Sequence, residues 1–260
     1  MPANRVNMVQ KDGFYGNLFC FTGLSRKPEQ GYDPPLCWLP KNVDRSPAEQ
    51  LWVTSKKWGP LSGAMLHTSY GTGNLFLMMH ELVEGQPQGG VVPMPGLKFP
   101  TGIMRARFHP SNGQLYVCGL VGWSSNCSKR GGFYRVRYTG KKVHLPVHLS
   151  IRKNGIAITF TEPLDKKIAE DVDSYAVEQW TYRWTKNYGS KHYRVSNPKR
   201  TGQDEVDVEE AILSKDGKTV FLEIEDLQPV MQMKIQLDLK GKDGTPIRHV
   251  IHNTINRIPK

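Results

Sequence analysis

The chain is poor in cysteine: four in 260 residues, none in a CxxC or CxxCH arrangement. That spacing excludes a thioredoxin-type redox pair and a covalent c-type haem attachment. No apolar run approaches the ~20 residues a membrane-crossing helix needs. The first twenty residues hold Arg5 and Lys11 but lack the apolar stretch of ~7–15 residues that marks a secretory leader. Nothing keeps a 3.6-residue apolar period for long, so long helices are excluded. The single short helical candidate runs from Lys166 to Asp173, behind Pro163. GxSxG, HExxH, P-loop and Asp-rich calcium-loop motifs are all missing, so no catalytic residue can be assigned by motif. Acid is scarce as well: 24 Asp and Glu against 35 Lys and Arg, a formal charge of +11.

That charge is uneven. Residues 1–140 hold 15 basic and 7 acidic side chains, and residues 141–260 hold 20 and 17. A basic first half is one signature of a nucleic-acid surface, but most of its basic residues are scattered, which argues against that partner. The dense run is Lys129 to Lys142, with six basic residues and no acid. Its segment FYRVRYTG alternates, so Phe133, Arg135 and Arg137 share one strand face and Tyr134, Val136 and Tyr138 the other. A strand with a solvated arginine face accounts for this, and long basic side chains also protect sheet edges.

The four cysteines are Cys20, Cys37, Cys118 and Cys127. A Cys118–Cys127 bridge would close GLVGWSSN, and a Cys20–Cys37 bridge a proline-rich loop, in an oxidising compartment. Buried free thiols are the alternative.

Strand signals dominate: short β-branched and aromatic runs alternate with Gly, Pro, Asn and Asp. A shift of 40 residues lays GPLSGAMLHTSYGTGNLFLMM (59–79) over FPTGIMRARFHPSNGQLYVCG (99–119). Gly73 meets Gly113, Leu75 meets Leu115, and Leu77 meets Val117. A further GNLF stands at Gly16 to Phe19. Repeats of ~40–50 residues made of strands and turns predict propeller blades; two hairpins of similar length are the plainer reading.

A second pattern starts near Lys142. VHLSIRKNGIAITF places Asn154-Gly155 between two alternating strands, a hairpin signal. SYAVEQWTYRW puts Trp180, Tyr182 and Trp184 on one face, and SKDGKTVFLEIEDL and MQMKIQLDLKGKDG supply further strands and turns. Turns every ~10 residues predict an immunoglobulin- or fibronectin-like β-sandwich. The expectation is an all-β chain: a partial β-propeller of about three blades over residues 1–142, then an Ig-like β-sandwich over 143–260.

VVPMPGLKFPTGIMRARFHPSNGQLYVCGLVGW, with GGFYRVRYTGKKVHLPV, resembles the closing blades of sorbosone-dehydrogenase-like or soluble-glucose-dehydrogenase-like propellers. KDGFYGNL resembles a turn in the same propellers. TFTEPLDKKIAEDVDSYAVEQWTYRWTKNYGSKHY resembles the Ig-like domain that follows them in large exported multidomain proteins of planctomycetes and their relatives. The resemblance implies a periplasmic or secreted location, and cytochrome c or sugar-active domains as neighbours on longer chains. Closed propellers need about four to eight blades, so the missing blades or a partner chain would have to complete this one. The function expected is a non-catalytic or incomplete module that mediates domain or glycan interactions. The alternative is part of a quinoprotein sugar or aldose dehydrogenase.

In those quinoproteins a His base, quinone-binding arginines and Ca²⁺ serve the cofactor PQQ, and the base and much of the calcium site come from earlier blades. Under that alternative Arg105 and Arg107 would face a central channel and bind the quinone; solvated arginines are the competing reading. His67 falls at the repeat position of Arg107, and His109 sits in a His-Pro turn. His249 and His252 fall on opposite faces of a strand, and Met78, Met79 and His80 read as packing, so no metal site is expected. Within WTYRWTKNYGSKHY (180–193), Trp180, Tyr182 and Trp184 read as sandwich core. Tyr188, Lys191, His192 and Tyr193 read as loop residues able to bind a carbohydrate by ring stacking and charge.

Overall fold

The computed structural model describes residues 4–16, 31–123, 125–183 and 189–260. The described residues form an all-β protein built from several sheets, none of them closed among those residues.

The largest sheet has eight strands, and its members come from both ends of the chain. From the first half it takes β3 (Pro47–Trp52), β4 (Met65–Ser69), β5 (Asn74–Val83) and β6 (Gln86–Lys98). From the second half it takes β12 (Tyr175–Trp180), β13 (Asp204–Val206), β16 (Val230–Lys240) and β17 (Pro246–Ile255). The spatial order is β13-β12-β16-β17-β6-β5-β4-β3. The seam is the β17–β6 pairing, which sets His252 opposite Val91, Asn253 opposite Gly90 and Thr254 opposite Gly89. Hydrogen-bonded pairing therefore runs across position 142. Gly90 permits it: a Cβ there would lie 2.7 Å from Asn253 Cβ and 2.9 Å from His252 O.

Two smaller sheets cover one face of the large one. The first is the meander β7 (Gly102–Phe108), β8 (Leu115–Leu120) and β9 (Gly131–Val136). The second has β10 (Pro146–Arg152), β11 (Gly155–Phe160), β14 (Glu210–Leu213) and β15 (Thr219–Glu223), ordered β10-β11-β15-β14. Alternation along the strands builds one continuous core between these layers. Leu75, Leu77 and Met79 of β5, Ile103, Leu115 and Val117 of the meander, Ile235 and Ile251 of the large sheet, and Leu149, Ile156 and Ile158 of the second small sheet all belong to it. The other face of the large sheet is partly covered by the ribbon β1 (Asn4–Val6) and β2 (Cys37–Leu39), over Phe76, Met78 and Val91.

Two carboxylates attach the small sheets to the large one. Glu49 Oε2 on β3 accepts the N–H of Ala106 on β7 at 2.7 Å. Glu81 Oε1 on β5 accepts the N–H of Ile151 on β10 at 2.9 Å, and its Oε2 accepts Ser150 Oγ at 2.9 Å. Both N–H groups belong to strands at a sheet edge, where an unpaired donor would otherwise invite another strand.

The 40-residue repeat corresponds to the hairpins β4–β5 and β7–β8. Gly73 and Gly113 both hold positive φ (68° and 70°), and Leu75, Leu115, Leu77 and Val117 are fully buried. The expected helix is the short α1 (Lys166–Ala169), capped by Asp165 and followed by a 3-10 turn at Val172–Ser174. Two readings need correction. The β10–β11 turn lies one residue earlier than Asn154-Gly155, because Arg152 pairs with Gly155. Gly155 serves close approach, since a Cβ there would sit 2.2 Å from Leu222 O. Trp180 and Tyr182 are buried, but outside the sandwich core: they pack with Trp38 in a separate small cluster. Trp184 lies outside the described residues.

Candidate functional site: an open aromatic and basic sheet face

The outward face of the β7–β8–β9 meander carries no covering layer among the described residues. Strand alternation and antiparallel register arrange it as two rows of three. One row is Arg105, Cys118 and Phe133; the next is Arg107, Tyr116 and Arg135. Phe133 is 71% exposed. Its ring stacks on Tyr116 with centroids 5.6 Å apart and planes 25° off parallel, and His109 lies 5.9 Å beyond Tyr116. Leu120, the last residue of β8, is 48% exposed, and Trp123 just beyond it is 83% exposed. Strands sit about 4.8 Å apart, so the three-strand width suits one or two ring-sized groups.

The three arginines differ. Arg107 donates to Glu49 Oε1 at 2.7 Å, which neutralises it, and Arg105 folds back on the carbonyl of Met104 at 2.7 Å. Arg135 is exposed and donates to no protein group among the described residues. Between Glu84 and Glu162 the sequence has no carboxylate side chain and eleven Lys and Arg. This acid-free stretch contains the whole platform and was a readable signal. Sequence reasoning placed Phe133 and Arg135 on a common face but missed Tyr116 and Trp123, whose exposure depends on which side of the meander is covered.

Arg105 and Arg107 therefore do come together, on an open face. They line no channel, and Arg107 is already held by Glu49, so the pair does not fit the carboxylates of an enclosed quinone. His67, at the matching repeat position, is fully buried. Its Nε2 lies 2.6 Å from Asp44 Oδ2 and its Nδ1 2.9 Å from Gln50 Nε2. Gln50 can only donate there, so Nδ1 accepts and Nε2–H donates to Asp44. Ser69 Oγ donates to the other Asp44 oxygen. The carboxylate sits between hydroxyl and imidazole, and all three residues are at 0% exposure. The cluster pins the loop before β3 and offers no nucleophile to a substrate.

Two of the four carbohydrate candidates of the second half, His192 and Tyr193, are engaged in packing. His192 stacks on Trp180 at 4.5 Å and meets Tyr182 edge-on, with Nδ1 3.1 Å from Gln203 Nε2, and burial lowers its pKa. Tyr193 bridges to Thr181 and Thr201 and lies under the Arg183 guanidinium at 4.4 Å. Lys191 is exposed, and Tyr188 lies outside the described residues.

Cys118 and Cys127 are both free, so no bridge closes GLVGWSSN. Cys118 is exposed on the open face, whereas Cys127 Sγ packs toward Gly73, 3.0 Å from where a Cβ would be. Cys37 is a buried free thiol, and burial raises its pKa to about 12. Its candidate partner Cys20 lies outside the described residues. His249 and His252 do fall on opposite faces of β17: His249 reaches the carbonyl of His144 at 2.8 Å, while His252 is buried near Lys234 and His192. Met78 and Met79 are buried in different clusters. Among the described residues no three His, Cys, Asp or Glu side chains converge as a metal site, and no helix is long and apolar enough to cross a membrane.

Comparison with protein-family models, curated proteins and solved structures finds no match to this chain.

Proposed function

We propose that this chain is a non-catalytic interaction module of an exported protein, and that the face of β7–β8–β9 docks an acidic carbohydrate chain. The observation that carries the proposal is the stack of exposed Phe133 on half-buried Tyr116, set among Arg105, Arg107 and Arg135 on a sheet face with no covering layer among the described residues. Aromatic faces accept the C–H faces of sugar rings, and guanidinium groups take carboxylates or sulfates in bidentate fashion. Charge density decides between a glycan and a nucleic acid. Tight nucleic-acid binding rests on about six to ten phosphate contacts, whereas this face offers one uncommitted arginine and two partly committed ones. A glycan with one anion per sugar or disaccharide matches that supply.

The architecture supports the module reading. In the second half the order β10-β11-β15-β14 facing β13-β12-β16-β17 supports reading this half as an immunoglobulin-like sandwich. In the first half the β3–β6 and β7–β9 meanders stack face to face as neighbouring blades do, which supports a partial propeller. The resemblance of both halves to exported multidomain proteins supports a periplasmic or secreted setting and sugar-active or cytochrome neighbours.

The test is calorimetric titration with tetragalacturonate, neutral maltotetraose and a ten-nucleotide thymidine strand. The uronate binding at least tenfold tighter than either of the others supports the proposal. Equal binding of the neutral sugar, or tighter binding of the oligonucleotide, overturns it.

A further inference from the structure

A cleft lies between residues of the two halves. Its volume is about 610 Å³, and it opens between the 3-10 turn at Lys56–Leu61, the end of β6, the connection after β9 and the β16–β17 turn. That volume falls within the range of small-molecule sites, ~300–1,000 Å³. One wall is apolar: Leu61, Met94, Leu97, Val136 and Leu145. Tyr138 forms a ring-bearing edge, and Gly59 makes room for it, since a Cβ there would lie 2.7 Å from the ring. Gly59 also holds φ 53° and ψ −126°, a conformation open to glycine.

The rest of the lining is largely basic. Arg137, Lys142 and Arg248 belong to it, with His144 and His249. The lining's one carboxylate, Asp243, accepts the N–H of Thr245 at 3.1 Å, lies 3.1 Å from His144 Nε2, and is 3.9 Å from Lys142 Nζ. Arg248 pairs with Asp238 outside the cleft at 3.1 Å. Arg137 is exposed and has no protein acceptor among the described residues. A lining that combines apolar side chains with cationic ones fits a ligand that is half apolar and half anionic.

We propose that this cleft binds a small amphipathic anion: a ring or short-chain body against Leu61, Met94 and Leu97, and a carboxylate or equivalent oxyanion at Arg137 and Lys142. The site is separate from the sheet face and does not depend on its function.

The experiment uses the full chain and two isosteric probes, 2-naphthoate and 2-naphthamide, followed by ¹⁵N chemical-shift perturbation. Naphthoate is expected to shift the amides of residues 136–145 and 243–249, with a Kd of about 0.1–1 mM for a ligand of this size. The amide should bind at least fivefold more weakly. Lys142→Ala and Arg137→Ala should each weaken naphthoate about threefold to fivefold and leave the amide unchanged. Leu97→Trp, at a half-buried wall position, should abolish both while the spectrum keeps its native dispersion. Equal affinity for the two probes, wild-type binding by Lys142→Ala and Arg137→Ala, or no perturbation at 5 mM naphthoate would each overturn the proposal.

Discussion

Glu81 and Ile151, seventy residues apart, are joined by a carboxylate-to-backbone hydrogen bond of 2.9 Å that ties the edge strand of the small second-half sheet to the large sheet. The same carboxylate also accepts Gln88 Nε2 at 2.8 Å and Ser150 Oγ at 2.9 Å. Glu81→Ala would strand three donors in or near the core. Each buried unsatisfied donor costs about 1–3 kcal/mol, partly relieved by relaxation. The expected loss is about 2–4 kcal/mol of unfolding free energy in urea, while substitution of exposed Glu225 by Ala changes stability by less than ~0.5 kcal/mol.

Gly90 reports on the seam itself. Gly90→Val would drive a side chain into Asn253 and the His252 carbonyl. A loss of about 1–3 kcal/mol is expected from the overpacking, with hydrogen exchange accelerated at Val91 and His252 first. Unchanged protection there would show that the halves are not joined along β6 and β17.

His252 makes stability fall in acid. Burial holds its pKa down to about 4, with Lys234 and His192 adding repulsion, against an ordinary 6.5. The neutral ring is the folded form, so this contribution is complete above pH 6.5 and is lost as pH falls through the window from 6.5 to 4. Between pH 7.5 and 4.5 the loss is about 2–3 kcal/mol. Urea unfolding of His252→Phe should show a shallower acid dependence than wild type. His80, His192 and His249, which burial also lowers, contribute to the remaining slope, as do the lowered carboxyls of Asp204, Asp216 and Asp243.

The thiols divide by exposure. Cys118 is exposed and Cys37 is buried with its pKa raised to about 12. Iodoacetamide at pH 8, read by peptide mass spectrometry, should label Cys118 in the native protein and Cys37 only after unfolding, because the thiolate is the reactive form. A Cys118–Cys127 disulfide peptide from the native protein would contradict the open arrangement of this face.

Much of the fold was legible because local chemistry and final environment agree. Gly73 and Gly113 open their strands with positive φ, and the alternation of Ile156, Ile158 and Phe160 matches burial. Strand β6 was hard to read because Pro87, Pro93 and Pro95 look like breakers. All three lie outside the Gly89–Val91 stretch that pairs with β17, so their missing N–H groups face no partner there. The candidate site was half legible. Arg105, Arg107, Phe133 and Arg135 could be placed on strands, but which face is covered depends on contacts across the whole chain. The same long-range packing set His67 and Arg107, matched by the repeat, in opposite environments: β4 is an interior strand beneath the ribbon, and β7 is an edge with an open side. It also drew His192 and Tyr193 into packing that no local pattern announces.

The sheet-face account is tested most directly by ¹⁵N shift mapping with tetragalacturonate on wild type, Phe133→Ala and Arg135→Ala. Neither side chain supports the core, so both variants should keep the wild-type Tm within about 2 °C. The account predicts perturbations concentrated at residues 105–107, 116–120 and 133–135 in the wild type, and at least fivefold weaker binding in each variant. Perturbations centred on another surface, or affinity unchanged in both variants, would contradict it.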